Sequence, residues 1–283
     1  MSEIENGELD RNGLGLGEPD RRLLDAVALG PAAVEAAIAD GAGAKAAGML
    51  DLDGCTPFLL AAEARDLRSM ELLAPLSDIH ACDIDGRNAL HMCLFDLPKS
   101  RIASREEYDR GSEMVIKRFA ALCNAKEPHN LGGTALMAAA SRGLPRSVEA
   151  LLPFSDVDAR DHKGNTALSW AAMFMMATRG SRVGGLRSDK RKGWIGWVDT
   201  ARALAPASSK ETLAAALEIA AKSADPGCDE LADILRGEWA RREAAILSEE
   251  MPASESGAAK NARASQRGRD PAVSAPRRRP KTL

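Results

Sequence analysis

DLDGCTPFLLAA (51–62), DIDGRNALHMC (83–93), HNLGGTALMAAA (129–140) and DHKGNTALSWAA (161–172) are four versions of one phrase. Their aligned glycines are Gly54, Gly86, Gly132 and Gly164. The first and last pairs are each separated by 32 residues, and the middle gap of 46 is that period plus a 14-residue insertion. A second phrase keeps phase with the first: ELLAPLSDIHACD (71–83) and EALLPFSDVDARD (149–161) each lead into the next copy. Two phrases locked at one period are the mark of a repeat architecture.

Each copy has a physical reading. Glycine in a polar, Asp-rich setting supplies the permissive backbone of a hairpin tip. Thr56, Thr134 and Thr166 then stand where a helix begins, offering hydroxyls to its unpaired N–H groups. Pro57 sits just inside, where a missing N–H costs nothing. Leu136, Ala139 and Ala140, like Leu168, Ala171 and Ala172, recur at helical spacing and form one apolar face. The small alanines admit a second helix, carrying Met70, Leu72 and Leu73 in one copy and Val148, Leu151 and Leu152 in another.

Composition agrees. Hydrophobic residues make up 45% of the 283 but aromatics only 4%, so the core is aliphatic and favours packed helices over a sandwich of strands. Cys55, Cys82, Cys93, Cys123 and Cys228 are odd in number and lack CxxC spacing, as reduced thiols do. The acidic N-terminus does not read as a signal peptide. The longest apolar run, 170–177, is far short of the roughly 20 residues that span a bilayer. A cytoplasmic protein without membrane contact is expected.

These phrases resemble the ankyrin repeat family, whose unit is a β-turn and two helices with the signature T-P-L-H-x-A at about 33 residues. The resemblance covers about residues 21–236 and implies an all-α ankyrin repeat solenoid that binds another protein. No copy carries both Thr and His of the signature. His91 follows Asn88, and the Thr-bearing copies have Leu59, Met137 or Ser169 at the His position. The family's Thr-to-His link therefore lacks one of its two residues in every copy.

About six units are expected, at 21–50, 51–82, 83–128, 129–160, 161–208 and 209–236, with degenerate caps at both ends. The solenoid should run over 21–247, between an unstructured acidic segment (1–20) and an unstructured basic tail (248–283). Two insertions, about 94–111 and 174–196, fall between the two helices of their units. Residues 179–197 hold Arg179, Arg182, Arg187, Lys190, Arg191 and Lys192 against Asp189, then Trp194 and Trp197. Arg and Trp are the types most enriched at binding hot spots.

Other chemistry finds little support. There is no G-x-S-x-G, Walker A, H-E-x-x-H or Rossmann glycine pattern. A calcium loop with Gly54 or Gly86 at its sixth position would begin at Met49 or Ala81 and end at Leu60 or Met92, none a carboxylate. His80 with Cys82, and His91 with Cys93, lack zinc-finger spacing. No metal, cofactor or catalytic residue is expected. The net charge of −3 argues against a dedicated nucleic-acid binder, although Arg277, Arg278, Arg279 and Lys281 form a cluster of the kind that serves as a nuclear address.

By the resemblance, a partner would lie across hairpin tips and inner helices, at Asp53, Glu63, Asp85, Arg87, Ser141, Arg142, Arg160, His162, Lys163 and Asn165. Lys190, Arg191, Lys192, Trp194 and Trp197 of the second insertion join that set. The alternatives are an effector- or toxin-like protein whose insertions at 94–111 and 174–196 form a specialised site, and a nucleic-acid- or nuclear-associated adaptor using the basic loop and tail; delivery to a host cell or entry to the nucleus would be the matching locations.

Overall fold

The computed structural model describes residues 18–43, 47–48, 50–95, 104–177, 195–222 and 226–250. Contacts divide the chain into Met1–Trp239 and Ala240–Leu283. The described part of the second unit, 240–250, is helical. No strand occurs among the described residues.

Six helix pairs follow in order: α1 (Glu18–Leu29) and α2 (Pro31–Ala39), α3 (Pro57–Glu63) and α4 (Leu67–Leu73), α5 (Ala89–Phe95) and α6 (Arg105–Phe119), α7 (Ala135–Arg142) and α8 (Pro145–Leu151), α9 (Ala167–Ala177) and α10 (Ile195–Leu204), α11 (Lys210–Ala221) and α12 (Pro226–Glu250). First helices pack on first helices, in the chain α1–α3–α5–α7–α9–α11. Second helices form a parallel layer, α2 on α4 and α6 on α8 on α10. Leu59, Leu90, Leu136, Leu168, Ala139, Ala140, Ala171 and Ala172 are fully or almost fully buried between the layers, as are Met70, Leu73, Val148 and Leu151.

Local chemistry sets each start. Thr56 and Thr134 accept from the N–H of Leu59 and Met137, and Thr166 from that of Ser169. Asn88 does the same work for α5, its Oδ1 accepting from Leu90 and His91. The same oxygen meets His91 Nδ1 at 2.8 Å, while His91 Nε2 reaches the Gly133 carbonyl of the next unit at 3.1 Å. The side-chain link that no copy encodes as Thr and His is therefore built from Asn88 and His91, because an amide oxygen at the N-cap can take both roles. Helix α8 opens on Leu144, which has no capping group. Buried Asp109 of α6 supplies it instead, accepting from the N–H of Arg146 and Ser147 and from the Ser147 hydroxyl.

The insertions differ from their expected extents. Helix α5 continues to Phe95 and α6 already begins at Arg105, so much of 94–111 is helix. At 15 residues α6 is about twice as long as α4 or α8. Residues 174–177 likewise extend α9, and 195–196 open α10. Helix α1 begins at Glu18, inside the segment read as unstructured, and α12 runs to Glu250, past the expected tail start.

Candidate functional site

The four tips repeat one geometry. In each, the first residue donates to the carbonyl four positions on and accepts from the glycine, as Asp51 does with Cys55 and Gly54 at 3.0 and 3.1 Å. The glycines have φ of 75–80°, a left-handed conformation that costs other residues strain. The Oδ1 atoms of Asp51, Asp83 and Asp161 each take two backbone N–H groups of their own tip. In the third tip, His129 Nδ1 accepts from Leu131 in place of an aspartate. Neighbouring tips are tied by Ile84 N–H to Asp53 O, Asn130 N–H to Asp85 O and His162 N–H to Leu131 O. The result is a hydrogen-bonded ledge from which Leu52, Ile84 and Leu131 project at 81, 66 and 73% exposure.

Of the residues nominated from sequence, Asp53, Asp85, Arg160, His162 and Lys163 are exposed on this ledge. Half-buried Arg87 is held by Asp83 at 2.6 Å and Asp85 at 3.1 Å, so the acidic end of the ledge is partly neutralised from within. Glu63, Ser141, Arg142 and Asn165 are half-buried. Trp197 is only 3% exposed; its indole donates to Ser141 O at 2.9 Å and lies under the Arg105 guanidinium at 4.1 Å. Lys190, Arg191, Lys192 and Trp194 lie outside the described residues.

The ledge, the first helices of the third to fifth pairs and the first turns of α6 and α10 border an open cleft of about 510 Å³. Its walls include Phe95, Trp170, Phe174 and Trp197, with Tyr108 at its base, and its cations are Arg105, Arg142 and Lys163. Both helices that flank the first insertion, and both that flank the second, contribute to it: Phe95 with Arg105, and Phe174 with Trp197. Trp170 and Phe174 meet with ring centroids 5.5 Å apart and planes tilted by 36°, and Arg142 and Arg87 lie over the Phe95 ring at 5.8 and 5.2 Å. Burial lowers the Arg105 pKa, Asp109 only partly opposing it. Burial also works against ionisation of Asp161, but donors from Asn165, Lys163 and Trp170 outweigh it and hold that carboxyl below its ordinary range.

Phe95, Arg105, His129, Trp170 and Phe174 were not nominated from sequence. For the aromatics the signal was indirect: Phe95, Trp170 and Phe174 fall on first helices that are otherwise mostly aliphatic. Among the described residues no cluster of His, Cys, Asp or Glu is placed to hold a metal ion.

A family model for ankyrin repeats in three copies matches residues 102–178. The paired helices, tied tips and Asn88–His91 link agree with that match. The chain carries ankyrin repeats. Proteins of this family typically bind other proteins and are typically not enzymes. No curated protein matches the chain. No described helix of this ankyrin stack is long and apolar enough to cross a membrane.

Proposed function

We propose that this ankyrin repeat protein is a non-enzymatic scaffold that grips a protein partner along the ledge and the adjoining first helices of its second to fifth helix pairs. One observation carries the reading. The ledge is hydrogen-bonded from tip to tip, yet presents large exposed apolar side chains, Leu52, Ile84 and Leu131, between charged ones. An exposed apolar row rimmed by charge marks an interaction surface. Charge differs along it, from Asp53 and Asp85 to Arg160, His162 and Lys163, which would fix the direction in which a partner lies.

The test is quantitative affinity capture with the intact chain. A ledge variant (Ile84→Ser, Leu131→Ser, Lys163→Glu) should lose the proteins retained by wild type. An outer-layer variant (Lys117→Ala, Arg118→Ala) should keep them. Equal retention by the ledge variant, with unchanged circular dichroism, would overturn the assignment.

A further inference from the structure

Three of the four tips take their central acceptor from an aspartate, and the third takes it from an imidazole. Asp51, Asp83 and Asp161 each bring Oδ1 to two backbone N–H groups of their own tip. In the third tip, His129 Nδ1 accepts from the Leu131 N–H at 3.1 Å. A carboxylate keeps its charge down to about pH 4. An imidazole can accept at Nδ1 only while it is neutral with its proton on Nε2. In the imidazolium both nitrogens are donors, and the Leu131 N–H then faces a second donor at a distance that suits only a donor and an acceptor.

This tip is the middle link of the ledge. Toward the second tip, the Asn130 N–H donates to Asp85 O at 2.9 Å and the Asn130 amide to Ile84 O at 3.0 Å. Toward the fourth, Leu131 O accepts from the His162 N–H at 3.4 Å. Leu131 is thus both an exposed ledge residue and a tie between tips. The ring also lies close against Gly133, where a Cβ would stand 2.5 Å from Nε2. Turning the ring away from Leu131 would undo that packing too.

Charged and titratable groups face the ring from every side. The second tip brings Arg87, Asp85 and Asp83, and the fourth brings His162. Helix α5 brings His91 with ring centroids 5.6 Å apart, beside the Phe95 ring at 5.7 Å. Arg105, Arg142, Asp161 and Lys163 border the same cleft. Burial and then Arg87 hold the His129 pKa below its ordinary 6.5, Asp85 and Asp83 opposing and His162 adding to the depression. The ring is therefore neutral at pH 7 and takes its second proton in acidic solution. His91 titrates lower, at about 4.

We propose that His129 is a proton-sensitive latch of the ledge: the neutral ring closes the third tip, and the imidazolium opens it and releases the partner. A proton from solvent adds to Nδ1, and the Leu131 N–H loses its acceptor. Opening of the tip stands on the tip geometry alone, whereas release of the partner rests on the scaffold reading.

The test takes the intact ¹⁵N-labelled chain from pH 7.5 to pH 5 and follows the His129 ring with the Leu131 and His162 amides. All three should titrate with one midpoint below 6.5. In His129→Asn, whose amide oxygen accepts but does not titrate, both backbone amides should stay in place. His129→Asp, which restores the residue of the other tips, should behave likewise. His162→Gln should leave the Leu131 response intact. Amides that do not follow the His129 ring, or that move equally in His129→Asn and His129→Asp, would overturn the latch. Quantitative capture with the same chains reads release. Retention by wild type should fall about fivefold from pH 7.5 to pH 5 and stay level in His129→Asn. An equal fall in both would overturn release through His129, and the scaffold reading would stand if the Ile84→Ser, Leu131→Ser, Lys163→Glu variant still loses its partner. Full retention by that ledge variant would sink the scaffold reading and release with it, whatever the amides show.

Discussion

His91 holds two adjacent ankyrin units together through a ring whose nitrogens face Asn88 Oδ1 and the Gly133 carbonyl. Burial pushes its pKa down to about 4, against a partial upward pull from that carbonyl and a further small depression from His129. The folded pKa therefore lies below the ordinary 6.5, and the unfolded chain binds more protons between the two values. Stability from this group is complete above about pH 6.5 and is lost as pH falls toward 4. Denaturant unfolding should show a loss of about 2 kcal/mol between pH 7 and pH 5 attributable to His91. His91→Gln should flatten that slope while lowering stability at pH 7; an unchanged slope would show that the ring is not the titrating group. Asp109 is a second such residue. Asp109→Ala should cost about 1–3 kcal/mol by stranding the N–H groups of Arg146 and Ser147, measured by the same unfolding experiment. Neither role was visible beforehand, since sequence spacing does not show that an asparagine at the N-cap can replace threonine, or that a cap can come from a neighbouring unit.

The short second helices show how the ankyrin elements are stabilised. Helix α8 has seven residues, too few to persist alone, and depends on burying Val148 and Leu151. Leu151→Ala should cost about 2–5 kcal/mol; a shift under about 0.5 kcal/mol in denaturant unfolding would contradict the register. The register itself was legible because Leu and Ala-Ala fall at helical spacing after Thr134 and Thr166. The insertions were legible only as excess length. Their start signal was present at Ser104-Arg105-Glu106-Glu107, a Ser-x-x-Glu pattern that opens helices, and Ser104 does accept from the Glu107 N–H at 3.1 Å. Where the flanking helices land depends on contacts from other units, such as Trp197 to Ser141, which no local pattern encodes. The aromatic cleft was illegible for the same reason.

At the scale of the whole molecule, the ankyrin units pack mainly on their neighbours, with a few contacts such as Arg105 to Trp197 reaching one unit further, so stability is roughly a sum over units and their interfaces. The tip ledge lies along one side of that stack, and on it rests the claim that the protein works by holding a partner. The most direct measurement is hydrogen exchange of the intact chain, alone and with a captured partner. The account predicts slowed exchange at residues 83–87, 129–142 and 161–174. Protection confined to the second-helix layer, at 105–119 and 145–151, would contradict it.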